Sequence, residues 1–147
     1  MSEIIVTCAV FSRRGRVLLA RRKAGKSNAG LWEFPGGKLE PGELETDCLR
    51  REIQEELGAD SKIGAFMLES LVEPSPAGGA PERASGGTRI LLRAYRARLL
   101  GDILVLNDHS ALAWALPGEL SEFCLCPADL PIARALAQDL STAEKGA

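Results

Sequence analysis

The stretch from Gly36 to Ala59, GGKLEPGELETDCLRREIQEELGA, joins two adjacent glycines and a Pro41-Gly42 turn to a strongly patterned segment. Leu49, Ile53 and Leu57 recur at i, i+4 and i+8. They draw one apolar stripe along a helix spanning Leu44 to Leu57, and that stripe demands a sheet to cover it. Thr46 is the expected N-cap and Gly58 the stop. Glu52, Glu55 and Glu56, at i, i+3 and i+4, share a second face. Like charges so spaced repel by roughly 0.2–0.5 kcal/mol per pair in an isolated helix. Arg50 and Arg51 lie around the helix at other angles. The spacing alone leaves two readings open: a solvated acidic face, or a site for a hard divalent cation such as Mg²⁺ or Mn²⁺, which favours carboxylate oxygens.

The flanking segments supply the sheet. IIVTCAVF and RVLLARR are β-rich runs joined by SRRG, a hairpin signal. LWEFPGG reads as a short extended stretch, and KIGAFMLESLV, TRILLRAYRARLL and SALAWAL as strands. PADLPIARALAQDL reads as a final helix opened by proline, followed by a tail, STAEKGA, expected to fray. The Pro/Gly/Ala-rich segment from about Pro74 to Gly87 reads as a flexible loop. Several strands with two helices make an α/β chain, expected to be one domain over residues 1–147.

Charge and composition exclude some functions. A formal net charge of −2 gives no basic field for a nucleic-acid polymer. No apolar run has the length of a membrane span, and the acidic N-terminus lacks a signal peptide's basic region, so a cytoplasmic protein is expected. Cys8, Cys48, Cys124 and Cys126 match no zinc spacing and read as packing residues. Trp32 and Trp114 read as core. His109 reads as an exposed loop residue without a role. ARRKAGKS superficially fits a phosphate-binding loop, but Gly30 and Pro35 follow too soon for the helix that motif must open.

Gly37, five residues, Glu43, seven residues and then Arg51-Glu52-Ile53-Gln54-Glu55-Glu56-Leu57-Gly58-Ala59 resemble the Nudix box, here residues 37–59. The one departure is Ala59, where that family carries a larger aliphatic residue. The resemblance implies the Nudix fold, an α/β/α sandwich with a central mixed sheet. It also implies metal-dependent hydrolysis of a nucleoside diphosphate linked to a further group. By similarity, the Gly36 carbonyl and Glu52, Glu55 and Glu56 hold Mg²⁺ or Mn²⁺. Glu52 is also the candidate general base, and Lys38 steers the phosphate or the attacking water. Glu43 and Arg51 pair to brace the loop against the helix.

The segment RRKAGKSNAGLWEFPGGKLEPGE resembles MutT-type nucleoside triphosphate pyrophosphohydrolases, which act on 8-oxo-dGTP or on cytidine nucleotides. DHSALAW resembles the stretch that places a further acidic metal ligand, here Asp108. CPADLPIARAL resembles the motif carrying a base-reading residue, here Asp129, and Arg22 would touch the nucleotide. The substrate so implied is a nucleoside triphosphate, bound by a monomer or homodimer. Asp129 also suits a plain helix cap. As an ionised base reader it would only accept hydrogen bonds, which suits the exocyclic amine of cytosine. Two rivals are a diphosphatase on a compound such as ADP-ribose, marked by Pro74, and a non-catalytic Nudix module. Such modules usually lose the box carboxylates kept here.

Overall fold

The computed structural model describes residues 3–72 and 88–146, the last seven of these by their backbone alone. The expected loop from Pro74 to Gly87 and its Pro74 marker lie outside the described residues. The elements in chain order are β1 (Glu3–Arg13), β2 (Arg16–Arg22), β3 (Trp32–Glu33), β4 (Gly36–Lys38), α1 (Glu45–Leu57), β5 (Ser61–Val72), β6 (Arg89–Leu99) and β7 (His109–Ala115). Two 3-10 turns, Pro117–Glu122 and Pro127–Asp129, lead into α2 (Leu130–Gly146).

The seven strands form a mixed sheet in the order β3-β2-β1-β6-β5, with β4 paired to β1 and β7 paired to β2. β1 and β6 run parallel from Glu3↔Arg89 to Phe11↔Ala97, and the other pairings are antiparallel. Period-two alternation then sorts side chains to two faces. Cys8, Val10, Val17 and Leu19 join Ile132 and Leu136 of α2, whereas Ala9, Phe11 and Leu18 join Leu49, Ile53 and Leu57 of α1. The expected stripe on α1 is fully buried. One helix covers each face, which is the α/β/α sandwich.

Local expectations fared unevenly. Arg14 and Gly15 take positive φ in the β1–β2 hairpin, and Gly58, at φ 60°, ends α1 with its N–H on the Gln54 carbonyl. Thr46 is not the cap: Leu44, two residues earlier, is the N-cap, α1 starts at Glu45, and no side chain caps it. Glu45 and Asp47 instead place negative charge in the first turn, where the helix dipole favours it. The segment expected as a tail is helical, because α2 continues to Gly146. Trp32 and Trp114 pack partly buried against the two cores. Cys8, Cys48 and Cys126 are buried, but Cys124 is exposed and does not pack. Among the described residues, no helix is long and apolar enough to cross a membrane.

Candidate active site

Two polar regions meet at β4. The strand lies against β1 in the register Cys8↔Gly36 and Thr7↔Gly37. A Cβ on Gly36 would fall 2.0 Å from the Thr7 carbonyl oxygen, and one on Gly37 would fall 2.1 Å from the Glu52 carboxyl carbon. The resemblance would explain these glycines by a metal at the Gly36 carbonyl. The structure gives a nearer cause: β1 occupies the space beside Gly36, and the Glu52 carboxylate sits in the cradle beside Gly37. Thr7 Oγ1 donates to the Gly37 carbonyl at 3.2 Å and fastens the strand from behind.

The charged face of α1 is organised by Arg51. Its Nε and Nη2 donate to the two oxygens of Glu43 at 2.8 and 3.0 Å, the expected brace between loop and helix. Its Nη1 reaches Glu52 Oε1 at 3.0 Å and both oxygens of Glu55 at 3.4 Å. This corrects the expectation that Arg51 points elsewhere, since its long side chain folds back across the acidic face. The Arg51 hydrogen bonds hold the Glu43 carboxyl down to about 2, and Glu43 in turn raises Arg51. Glu56 is buried at 4% exposure, Glu52 is half-buried, and Glu55 and Lys38 are exposed. Asn107 donates from its backbone N–H to the Glu56 carbonyl and from Nδ2 to the Glu55 carbonyl, at 3.1 and 2.6 Å. Asp108 is thereby brought to the acidic end of the helix, where its Oδ1 lies 3.4 Å from Lys26 Nζ.

Across Gly36 lies a pocket whose polar wall is Arg22, Glu33, Cys126 and Asp129, faced by Ile90 and Leu92. Asp129 is 4% exposed and accepts the Phe34 N–H on Oδ1 at 3.2 Å, so its carboxyl ties the turn before α2 to the link between β3 and β4. Burial first, and then the Glu33 charge, push the Asp129 carboxyl well above the usual carboxylate range, against the Phe34 N–H and Arg22. The shift runs toward the neutral acid, the opposite direction to an ionised acceptor. Burial also pushes the Cys126 thiol up to about 12, which keeps it a neutral wall. Arg22 reaches Ser27 O through Nε at 2.6 Å and Glu33 Oε2 through Nη1 at 3.2 Å.

Two residues of this region escaped the sequence reading. Glu33 was quoted only as part of an extended stretch. Its signal was a lone acid between Trp32 and Phe34, in a strand otherwise suited to burial. His109 was expected on an exposed loop; it opens β7, is 3% exposed, and sets Nε2 2.8 Å from Glu33 Oε2. The cause is pairing with β2, which places His109 opposite Arg22 where the register shifts.

The structure therefore gathers Arg22 and Asp129 in one region and Lys38, Glu52, Glu55, Glu56 and the segment of Asp108 in another, with Gly36 between them. Among the described residues, one group of three Cys, Asp or Glu ligand atoms lies mutually within 4.8 Å: Glu33, Cys126 and Asp129. The carboxylates of α1 are more widely spread, with Arg51 between Glu52 and Glu55.

Comparison with known proteins bears on the family and the fold. The NUDIX domain model matches residues 1–140. The chain is 36% identical over 135 residues to the CTP pyrophosphohydrolase of Escherichia coli (strain K12), covering 92% of each protein. It is 41% identical over 56 residues to the 8-oxo-dGTP diphosphatase of Proteus vulgaris, covering 38% of this chain and 50% of that protein. The solution structure of the E. coli ORF135 protein superposes with a TM-score of 0.73 at 34% identity, covering 94% of this chain and 91% of that one.

Proposed function

The chain belongs to the NUDIX family of hydrolases, and from that premise we propose that it converts nucleoside 5′-triphosphates to nucleoside monophosphate and pyrophosphate. The observation that carries this reading is the shared strand. Gly36 lines the pocket while Gly37 cradles Glu52, so a base in the pocket directs its phosphates toward α1.

The residues fit a hard divalent cation, Mg²⁺ or Mn²⁺. Glu52, Glu55, Glu56 and Asp108, with the Gly36 carbonyl, offer oxygen donors only, and Glu52 occupies a cradle that any Cβ at position 37 would fill. When bound, such a cation neutralises phosphate charge and acidifies water. The protein's own groups do the rest. Arg51 and Glu43 hold the face of α1 against β4. Glu52, pressed against the Gly37 backbone, is placed to take a proton from water, an effect of about 10²–10⁴-fold for a general base. Lys38 stands exposed on β4 to meet a phosphate.

In the pocket, a neutral Asp129 presents one donor and one acceptor. Cytosine offers the matching N3 acceptor and N4 amine, and 8-oxoguanine the matching O6 and N7–H. Both fit this residue, in line with the names of the relatives. The role so described is hydrolysis of CTP or dCTP, or removal of 8-oxo-dGTP from the cytoplasmic nucleotide pool. A panel of CTP, dCTP, 5-methyl-dCTP, 8-oxo-dGTP and ADP-ribose, with separate detection of pyrophosphate and phosphate, tests it. Pyrophosphate from at least one triphosphate supports the reading. Turnover of ADP-ribose alone, or release of phosphate only, contradicts it.

A further inference from the structure

His109, the single histidine of the chain, acts on the pocket from behind it. Glu33 lines the cavity and His109 does not, yet among the described residues His109 makes the shortest hydrogen-bond contact to the Glu33 carboxylate, Nε2 to Oε2 at 2.8 Å. Arg22 Nη1 reaches the same group at 3.2 Å from Oε2 and 3.4 Å from Oε1. His109 donates from β7 and Arg22 from β2 beside the cavity; Oε2 takes both shorter contacts, and Oε1 of the same cavity-lining residue receives the longer Arg22 contact at 3.4 Å.

The imidazole's surroundings select its tautomer. His109 Nδ1 has no hydrogen-bond partner among the described residues. A hydrogen on Nδ1 would be a buried donor without an acceptor, and would leave the Nε2 lone pair facing a carboxylate oxygen at 2.8 Å. A hydrogen on Nε2 relieves both, and makes the contact a charge-assisted bond to Glu33.

We propose that His109 is a positioning residue for base selection: its Nε2–H fixes Glu33 as an acceptor in the pocket wall for an exocyclic amine on the base. This rests on the reading above, in which the pocket takes the base. An amine at that point supplies hydrogens to Glu33, whereas a carbonyl oxygen sets acceptor against acceptor. The pocket therefore favours cytosine over uracil. Arg22 alone does not hold this orientation, because one nitrogen spanning both oxygens at longer range leaves the carboxylate free to turn about its own axis.

The test is steady-state kinetics with CTP and UTP in Mg²⁺ for wild type, His109→Leu and His109→Gln. His109→Leu is expected to raise KM for CTP about tenfold or more and to leave kcat within about twofold, collapsing the CTP/UTP ratio of kcat/KM. His109→Gln keeps an N–H directed at Glu33 and restores most of that ratio. In a Glu33→Gln background the His109→Leu effect disappears, as expected for a residue acting through Glu33. A folded His109→Leu enzyme that keeps the wild-type ratio overturns the proposal. Wild type that takes CTP and UTP equally well overturns the pocket reading itself. If His109→Leu does not fold, ¹⁵N spectra of the wild-type imidazole decide: a protonated Nε2 with bare Nδ1 supports the proposal, and the opposite tautomer overturns it.

Discussion

Glu43 and Asp129 are carboxyls at the two ends of one site, and their surroundings push them in opposite directions. Glu43 accepts a two-pronged pair of hydrogen bonds from Arg51 at the surface, which holds it down to about 2. Asp129 is buried beside Glu33 with one backbone N–H for company, which raises it. Beside the face of α1, Arg51 keeps Glu43 ionised and compensated. In the pocket, burial and the Glu33 charge shift Asp129 toward its protonated form, which under the proposed function offers a base edge both a donor and an acceptor. One chain thus sets two chemistries with the same side-chain type, through solvation and neighbours rather than residue identity.

The largest effect should come from the ionised side. Glu56→Gln and Glu55→Gln are each expected to lower turnover by at least about a hundredfold, through loss of an anionic ligand to a hard cation. Thermal unfolding should show the fold intact. Near-wild-type rates at limiting Mg²⁺ would remove the metal assignment.

The glycines at the junction should separate the two sides further. Gly36→Ala drives a methyl into the β1 backbone, and a loss of about 1–3 kcal/mol in denaturant unfolding is expected. Gly37→Ala meets only the end of the Glu52 side chain, which can turn away. Its cost should therefore appear as roughly 10- to 100-fold in kcat, the scale of a displaced catalytic group. Reversed phenotypes would break the distinction between β1 support and Glu52 placement.

How much of this was legible beforehand follows from the same contrast. The α1 face is contiguous, so its stripe, its acids and its glycine stop are written in one run, and the resemblance supplied their roles. The polar wall of the pocket is assembled from Arg22, Glu33 and the Cys126–Asp129 turn, three separate segments, and burial decides what each does. The resemblance pointed to Arg22 and Asp129, but nothing local marks Glu33 as a pocket wall or His109 as buried, and the protonation of Asp129 depends on a neighbour nearly a hundred residues away. Arg51 was misplaced for a related reason, because helical angle locates a Cα and not the end of a long side chain.

A smaller effect is expected at the base. Asparagine reproduces the donor and acceptor of a neutral acid, so Asp129→Asn should change kcat/KM for CTP and 8-oxo-dGTP by no more than about threefold each, whereas Asp129→Ala should lose about tenfold or more on both. A selective loss on CTP in Asp129→Asn would mark an ionised carboxylate.

The smallest effects are in stability against pH, and they carry opposite signs. Glu43 is lowered from its ordinary 4.5. Its contribution is fully present above that value and is lost as pH falls toward about 2, so Glu43→Gln should remove part of the acid limb. Asp129 is raised from its ordinary 3.8. The folded state then holds the extra proton, and stability falls as pH rises above the ordinary value; Asp129→Asn should flatten that slope. Chemical denaturation from pH 3 to 8 measures both, and like-signed changes would contradict the contrast.

The most direct test is the titration of the two carboxyls themselves, followed by ¹³C chemical shift in the metal-free protein, with Glu43→Gln and Asp129→Asn used for assignment. The account predicts that Glu43 stays ionised down to about 2 while Asp129 keeps its proton well above the usual carboxylate range. An Asp129 that titrates with the ordinary acids would contradict it, and would return base reading to an ionised acceptor.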